Sequence, residues 1–312
     1  MEQLVRTGQP ASLFARLNHP TKTDASTFGV IGDPHLATRA GGTARRFELT
    51  EHWIKHTVAD LHTRDLDFVA SVGDLTKDGE PWNLERMGEL VDDLSVPFIT
   101  IPGNHDLGDG EPSAADLDRF TAQFPPGEIP FHRQLGGIDV IGLNTVYPDK
   151  QVSEQQLDWL DTTLESVDSP VVLAHHNIPA FTGQLATFKE QFDRGTGSAG
   201  GIENATALLD RLEDHDVRLL LTGHHHRPGL AVHDDVVEIA SGALCIFPQS
   251  YFLVTVDDRG TTIRNVPILS RQGLAEAYRV QQQEGNAAKG QLAALDLSQL
   301  PIRDEWDDSY GG

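Results

Sequence analysis

Short, continuous apolar runs alternate along most of the chain with longer segments in which apolar residues recur at helical spacing. A short apolar run predicts a buried strand, and helical spacing predicts an amphipathic helix. Strands that alternate with helices indicate an α/β protein. The predicted strands lie at 28–32, 68–72, 96–101, 138–143, 170–174 and 217–221, and the predicted helices at 46–63, 81–94, 114–124, 153–167 and 203–215.

The pattern changes after residue 226, where apolar runs follow one another with only Gly, Pro and Asp turns between them. These runs predict strands without intervening helices. Elsewhere, residues 11–17 suggest a short helix, and residues 178–201 show no regular element beyond a turn near Phe188. A loop of that length usually forms a lid or a pocket wall. The predicted strands of the later region lie at 236–240, 251–256 and 261–266.

Side chains with oxygen and nitrogen donors follow five of the predicted strands. The run at 96–101 leads into Asn104, His105 and Asp106. In open α/β sheets, ligands bind at the carboxyl ends of strands. Each of these residues alone would be an ordinary polar loop residue, but their recurrence at successive strand ends predicts a metal site. The other candidates at strand ends are Asp33, His35, Asp74, His175, His176, His224 and His226.

Donors of this kind, without a thiolate, favour Mn, Fe or Zn over Ca or Mg. A carboxylate placed between two ions can bridge them, and Asp74 is the natural candidate. Two ions about 3.5–4 Å apart form the clamp that is used for in-line displacement at phosphorus. The expected cofactor is therefore a pair of divalent or trivalent ions.

The order of these blocks resembles the pattern of the calcineurin-like metallophosphoesterases: D-x-H, G-D, G-N-H-D/E, a histidine, and G-H-x-H. All five blocks occur in order from residue 33 to residue 226. The resemblance implies an αββα sandwich of two mixed sheets flanked by helices, and the strands after residue 226 fit its second sheet. It also implies two ion positions that share Asp74. One would be completed by Asp33, His35 and His226, and the other by Asn104, His175 and His224.

The resemblance leaves three histidines outside the ligand set. His175 aligns with the family histidine better than His176 does, and His225 lies between two ligands and is expected near the pocket without binding an ion. His105 would protonate or polarise the leaving oxygen, with Asp106 orienting it.

Two short segments, 73–81 and 156–160, are similar to the branch of the family that contains class III cyclic-nucleotide phosphodiesterases and glycerophosphodiesterases. Asn144 stands where such relatives often have Asp. We expect a dinuclear phosphoric ester hydrolase, a phosphodiesterase that acts on a small-molecule phosphoester, with cyclic nucleotides among the candidates. The alternatives are a phosphomonoesterase or nuclease of the same fold, or a non-catalytic interaction module.

The net charge of −23 restricts the partners of the chain. Such a surface repels nucleic-acid phosphates and anionic membranes, so we expect no broad binding to either. The composition resembles that of proteins from salt-accumulating archaea, although an ordinary acidic protein is the alternative.

No apolar stretch approaches the roughly 18 residues of a membrane span. The oligomeric state stays open, with a homodimer among the states allowed.

The single cysteine, Cys245, lies in an apolar segment and is expected to be inert core. A lone cysteine and the lack of a leader-like amino terminus favour a reducing, cytoplasmic setting. The expected domain organisation is a lead-in over 1–26, the metallophosphoesterase catalytic domain over 27–270, and a peripheral, partly flexible arm over 271–312.

Overall fold

The computed structural model describes residues 8–39, 45–108, 110–191, 200–282 and 287–306. The strands within them are β1 (Ser12–Leu17), β2 (Ser26–Ile31), β3 (Phe68–Ser71), β4 (Phe98–Thr100), β5 (Phe131–Leu135), β6 (Ile138–Gly142), β7 (Val171–Leu173), β8 (Leu219–Thr222), β9 (Gly229–His233), β10 (Val236–Ala240), β11 (Ser250–Asp257), β12 (Gly260–Pro267) and β13 (Arg303–Asp304). They form a seven-stranded sheet in the order β13-β1-β12-β11-β2-β3-β4 and a six-stranded sheet in the order β5-β6-β7-β8-β10-β9.

The helices lie between or after the strands, preceded by a short 3-10 turn at Phe47–Leu49. They are α1 (Thr50–Leu61), α2 (Pro81–Asp92), α3 (Ala114–Gln123), α4 (Glu154–Leu164), α5 (Pro179–Gln191), α6 (Ala205–Asp214), α7 (Arg271–Gln282) and α8 (Ala287–Ser298). Among the described residues, no helix combines the length and the apolar character that a bilayer crossing needs.

The apolar residues form one core between the two sheets and one on each outer face. Phe28 and Phe68 stack in the central core with ring centroids 4.5 Å apart. Trp53 of α1 and Met87 of α2 pack on the outer face of the seven-stranded sheet, and α4 and α6 cover the six-stranded sheet with residues such as Leu160. Full burial of one such side chain contributes about 1.5–3 kcal/mol. The expected αββα sandwich is confirmed.

Parallel pairing brings the functional ends of the strands together. Strands β2, β3 and β4 are parallel neighbours in one sheet, and β6, β7 and β8 are parallel neighbours in the other. The carboxyl ends of parallel neighbours lie at the same edge of a sheet. These six strands therefore deliver their following loops to one end of the sandwich, and five of the loops carry the predicted ligands.

Two expected assignments, one helix and one irregular loop, are wrong. Residues 12–17 form β1, which pairs with β12, so long-range pairing overrides the weak local pattern. Residues 179–191 form α5 instead of an irregular loop. Its buried Phe181, Leu185 and Phe188 do recur at helical spacing, and Gly183 within them weakens the local signal. The rest of the expected loop, residues 192–199, lies outside the described residues.

The later strands divide between the sheets, which corrects the expectation that they all fit the second one. Strand β11 pairs with β2, and β12 pairs with β11 and β1, so both belong to the seven-stranded sheet. Only β9 and β10 join the six-stranded sheet. The segment after residue 270 contains α7, α8 and β13, while residues 307–312 lie outside the described part. The domain boundaries at 26 and 270 stay a prediction.

Candidate metal centre

The loops after β2 and β3 run side by side beyond the ends of their strands. The N–H of Asp33 donates to the carbonyl of Gly73 at 3.2 Å, and the N–H of His35 donates to the carbonyl of Asp74 at 3.0 Å. An added Cβ at Gly73 would lie 2.6 Å from the nitrogen of Gly103, so only glycine allows the third loop to approach this closely. Backbone contacts thus hold the three loops of the seven-stranded sheet together.

The six-stranded sheet supplies the remaining histidines from the opposite side. His175 follows β7, and His224 and His226 follow β8. The N–H of Gly223 donates to the carbonyl of His175 at 3.1 Å. The N–H of His224 donates to the Asp33 carboxylate at 2.9 Å, which ties the two sheets together at this end.

Most of the predicted ligands have a left-handed backbone. L-residues other than glycine pay about 1–2 kcal/mol for this conformation, and it persists only where surrounding bonds over-determine it. Here the loop-to-loop hydrogen bonds supply that constraint and aim the side chains inward. The φ angles are 46° at Asp33, 45° at His35, 53° at Asp74, 65° at His224 and 57° at His226.

The structure gathers all seven predicted metal ligands. Two groups have donor atoms within 4.8 Å of one another, and Asp74 belongs to both. Asn104 joins the second group, since its Oδ1 lies 3.1 Å from Nε2 of His175 and 2.9 Å from Nδ1 of His224. The first group is Asp33, His35, Asp74 and His226, and the second is Asp74, His175 and His224.

The hydrogen bonding and protonation of the donors suit cation binding. Among the described residues, Oδ2 of Asp33 and Oδ2 of Asp74 are buried without a hydrogen-bond partner. Leaving a buried carboxylate oxygen without a hydrogen bond costs free energy, and an ion placed among these donors would remove that cost. Burial lowers the pKa of His224 and of His226 well below the usual range, so both rings are in the neutral form that binds metals.

Burial and the neighbouring charges together set the protonation of the other donors. It raises the pKa of Asp33 to about 8 and lowers the pKa of His35 to about 4. Burial acts to raise the pKa of Asp74 too, but the imidazoles of His175 and His35 outweigh it and hold that pKa well below its usual range. For His175, burial acts to lower the pKa, and the Asp74 carboxylate overcomes it and raises the value to about 9. A bound cation would balance the negative charge of Asp74 in place of the His175 proton, and His175 would then bind the cation in its neutral form.

The predicted role of Asp106 in orienting His105 is wrong. Asp106 is buried and accepts hydrogen bonds from the N–H groups of Leu75, Thr76 and Gly103 at 2.8–3.1 Å. It therefore holds the two ligand-bearing loops after β3 and β4 to each other. The adjacency of the two residues in sequence gave no information on where each side chain points.

His105 is oriented instead by the loop after β3. Its Nδ1 donates to the carbonyl of Lys77 at 2.7 Å and lies 3.2 Å from Oδ1 of Asp78. The ring stands edge-on to His35, with centroids 4.7 Å apart. These contacts occupy Nδ1 and leave Nε2 for other partners. Asp78 was missed because a loop carboxylate beyond the G-D block has no distinctive spacing.

A cavity of about 620 Å³ opens beside the second group of donors. His105, His176 and His224 line it together with residues that the sequence did not single out. His176, the neighbour of a predicted ligand, bonds the carbonyl of Thr145 through Nδ1 at 2.8 Å and belongs to none of the donor groups found among the described residues. The newly identified wall residues include Glu111, Tyr147, Asp149, Lys150 and Glu203.

Two further predicted positions have structural contacts. His225 is buried, and its ring lies 5.6 Å from that of Phe181. Within the described residues it joins no donor group, in line with its predicted place. Oδ1 of the Asn144 side chain accepts from the N–H groups of Val146 and Tyr147 at 2.9 and 3.1 Å, so Asn144 shapes the turn that forms one cavity wall.

Known proteins resemble this chain in sequence and in fold. The chain is 31% identical over 202 residues to a protein named probable cyclic nucleotide phosphodiesterase from Synechococcus sp., covering 64% of this chain and 70% of that protein. It is 29% identical over 195 residues to one named probable glycerophosphodiester phosphodiesterase from Arcobacter nitrofigilis, covering 59% and 66%. Among solved structures, a dimetal phosphatase from Danio rerio superposes with a TM-score of 0.60 at 17% identity, over 78% of this chain and 98% of that one.

The likeness to the Danio rerio structure concerns the fold alone. The sequence model of the calcineurin-like phosphoesterase family matches residues 26–228, and this range contains every predicted ligand. The chain belongs to the calcineurin-like phosphoesterase family.

Proposed function

We propose that this protein is a dinuclear metal-dependent hydrolase of phosphoric esters that prefers diesters. The observation that carries the proposal is the position of Asp74, which belongs to both groups of donors. The second of these groups borders a cavity through Asn104 and His224. The family match and the two relatives named phosphodiesterases support it.

The residues that would hold the ions follow from the two donor groups. Asp33, His35 and His226 would complete one position with Asp74, and Asn104, His175 and His224 would complete the other. Four imidazoles with carboxylate and amide oxygens suit Mn, Fe or Zn. When bound, two such ions would activate a water and neutralise the charge that develops on the phosphoryl oxygens.

His105 would act on the leaving group. With Nδ1 directed at the Lys77 carbonyl and Asp78, the protonated ring would donate from Nε2 to the departing ester oxygen. The carboxylate of Asp78 stabilises the positive charge of that ring and keeps its orientation. His105 lines the cavity and belongs to neither donor group found in the described residues.

The cavity favours a small substrate with both polar and apolar parts. Lys150 offers a positive charge at the rim, while Glu111 and Glu203 can accept hydrogen bonds from hydroxyl groups. Tyr147 adds an aromatic surface. These groups suit a small-molecule diester, a cyclic nucleotide included. A nucleic acid is a poorer candidate, because the net charge of −23 would repel its phosphates. We propose a cytoplasmic location, which the single cysteine of the chain favours.

A substrate and metal screen tests the function. Metal-free protein would be loaded with Mn²⁺, Fe²⁺ or Zn²⁺ and assayed with bis(p-nitrophenyl) phosphate, p-nitrophenyl phosphate, glycerophosphodiesters and cyclic AMP. We expect turnover with two bound ions per chain and higher kcat/KM for diesters. Faster hydrolysis of the monoester would instead establish a phosphomonoesterase, and no turnover in any fully loaded form would favour an interaction module.

A further inference from the structure

Cys245 lies beside the first group of metal donors, although the sequence placed it in inert core. The thiol is fully buried. Its sulfur and one donor nitrogen each of His35 and His226 lie within 4.8 Å of one another. The same two imidazoles also belong to the group that contains Asp33 and Asp74, whereas Cys245 does not. The two histidines are therefore shared between a carboxylate group and a thiol.

The backbone fixes the thiol in this place. Ala243 forms an isolated parallel bridge with Gly32, and the N–H of Leu244 donates to the carbonyl of Gly32 at 3.1 Å. Gly32 directly precedes the D-x-H block. Ala243 and Ile246 are buried with Cys245 in a small apolar cluster. The segment that carries the thiol is thus attached to the loop that carries His35.

A buried cysteine most often serves only as a small apolar residue in the core. Two observations indicate that Cys245 has a further role. The thiol faces imidazole donors, which are metal ligands, and not only aliphatic side chains. In addition, Nδ1 of His35 is buried and has no hydrogen-bond partner among the described residues. The thiol and one nitrogen of each imidazole, all within 4.8 Å of one another, form a ligand set of their own.

We propose that His35, His226 and Cys245 form a soft-ion site, which binds Zn²⁺ or a similarly thiophilic divalent cation. Thiolate ligands select soft ions, while carboxylates suit Mn²⁺ and other hard ions. On binding, the cation replaces the thiol proton, which leaves to the solvent, and no electron is transferred. Because the soft-ion site uses both imidazoles of the Asp33 group, a soft ion there excludes a hard ion from the first position. This inference rests on the metal centre of the proposed function.

Cobalt provides a spectroscopic test on the full chain. Sulfur bound to Co²⁺ gives a charge-transfer absorption, and Cys245 is the single cysteine of the chain, so any such band reports on this residue. We expect the band when metal-free wild-type protein is loaded with Co²⁺, and no band in Cys245→Ser. In a mixture of Zn²⁺ and Mn²⁺, the bound ratio of zinc to manganese should fall by about 10-fold or more in Cys245→Ser, because even residues that only support a ligand contribute about 10–100-fold to metal affinity.

His132→Ala is the matched control, because this half-buried histidine bonds Asp139 on β6 and should leave both measurements unchanged. Absence of the band in the wild type, or the same band in Cys245→Ser, overturns the proposal. Should Cys245→Ser and Cys245→Ala both fail to fold, Cd²⁺ titration of the wild type decides. A cadmium–thiolate absorption that a chelator removes supports the site, and its absence rejects it.

The outcome is independent of the proposed function. The absorption of the cobalt protein requires no turnover. Hydrolysis by the Mn²⁺ form without a thiolate band would reject the soft-ion site alone, and a band in a protein that hydrolyses no phosphoester would reject the proposed function alone.

Discussion

At the scale of single residues, the shared carboxylate of Asp74 is the point on which both ion positions depend. Replacing Asp74 with Ala should lower the bound metal at both positions, whereas replacing Asn104 with Ala should weaken mainly one, because Asn104 joins only the second donor group. Elemental analysis of the purified variants measures this. Asp161→Ala, a surface carboxylate paired with Arg211, is the control and should keep both ions. Unchanged metal in Asp74→Ala would contradict the bridging role.

His105 should affect chemistry without affecting metal content. General acid catalysis typically supplies 10²–10⁴-fold, so His105→Ala should lose roughly that much in kcat while keeping both ions. The loss should be largest for esters of alkyl alcohols and smallest for nitrophenyl esters, whose leaving group needs little protonation. His132→Ala controls for the loss of a histidine remote from the cavity.

Two results would contradict this role for His105. Metal lost in proportion to activity would make it a ligand or a structural residue. Equal losses with alkyl and aryl esters, at full metal content, would mean that it stabilises phosphoryl charge and does not donate a proton.

The sequence predicted the ligand residues well and their neighbours poorly. Asp33, Asp74 and His224 occur in blocks whose spacing is set by the strand ends, so a single sequence carries that information. The contact of Cys245 with the same site depends on a bridge to Gly32, more than 200 positions away in sequence. Side-chain direction at Asp106 depends on which backbone N–H groups surround it. Neither property has a local signal.

At the scale of elements, the loop that carries His226 also holds two helices. Arg227 is fully buried, and its guanidinium donates to Asp296 of α8 at 2.7 Å and to Gln184 of α5 at 2.5 Å. It also lies over the ring of Phe181, at 4.4 Å. Helices α5 and α8, which the sequence did not predict as such, are thereby attached to a ligand-bearing turn.

Arg227→Met should therefore destabilise the protein strongly. Removing one partner of a buried ion pair costs about 3–5 kcal/mol, and we expect the lower end because Asp296 is partly exposed. Urea unfolding at constant metal concentration measures the free energy of unfolding. Arg218→Met, whose partners Asp216 and Asp235 are exposed, should lose less than about 1 kcal/mol. Equal losses in the two variants would contradict the role assigned to Arg227.

Elements with strong local periodicity were predictable, and elements defined by distant partners were not. Helices α2 and α4 carry clear apolar faces and clear starts, a proline at Pro81 and a capping serine at Ser153. Strand β1 has neither, and it exists because β12 and β13 pair with it. The assignment of β11 to a sheet likewise follows from its pairing with β2, which no local pattern specifies.

At the scale of the whole molecule, self-repulsion at a net charge of −23 should make stability depend on salt. The Debye length falls from about 10 Å at 0.1 M to about 3 Å at 1 M, so the melting temperature should rise clearly between those concentrations of KCl. Calorimetry of the metal-free protein measures it. Near the sequence pI of about 4.8 the net charge vanishes, and the rise should largely disappear. A flat melting temperature at neutral pH would count against the repulsion and against the resemblance to proteins of salt-accumulating archaea.

The left-handed backbone of the ligand-bearing turns has a consequence for evolution. At His35, His224 and His226 a glycine or asparagine would relax the backbone, and the metal-free fold would lose a strain of about 1–2 kcal/mol per residue. Only the imidazoles, however, complete the donor groups. Selection for stability and selection for hydrolysis thus oppose each other at these positions. In a descendant that is no longer selected for hydrolysis, these histidines should be replaced before the surrounding core changes.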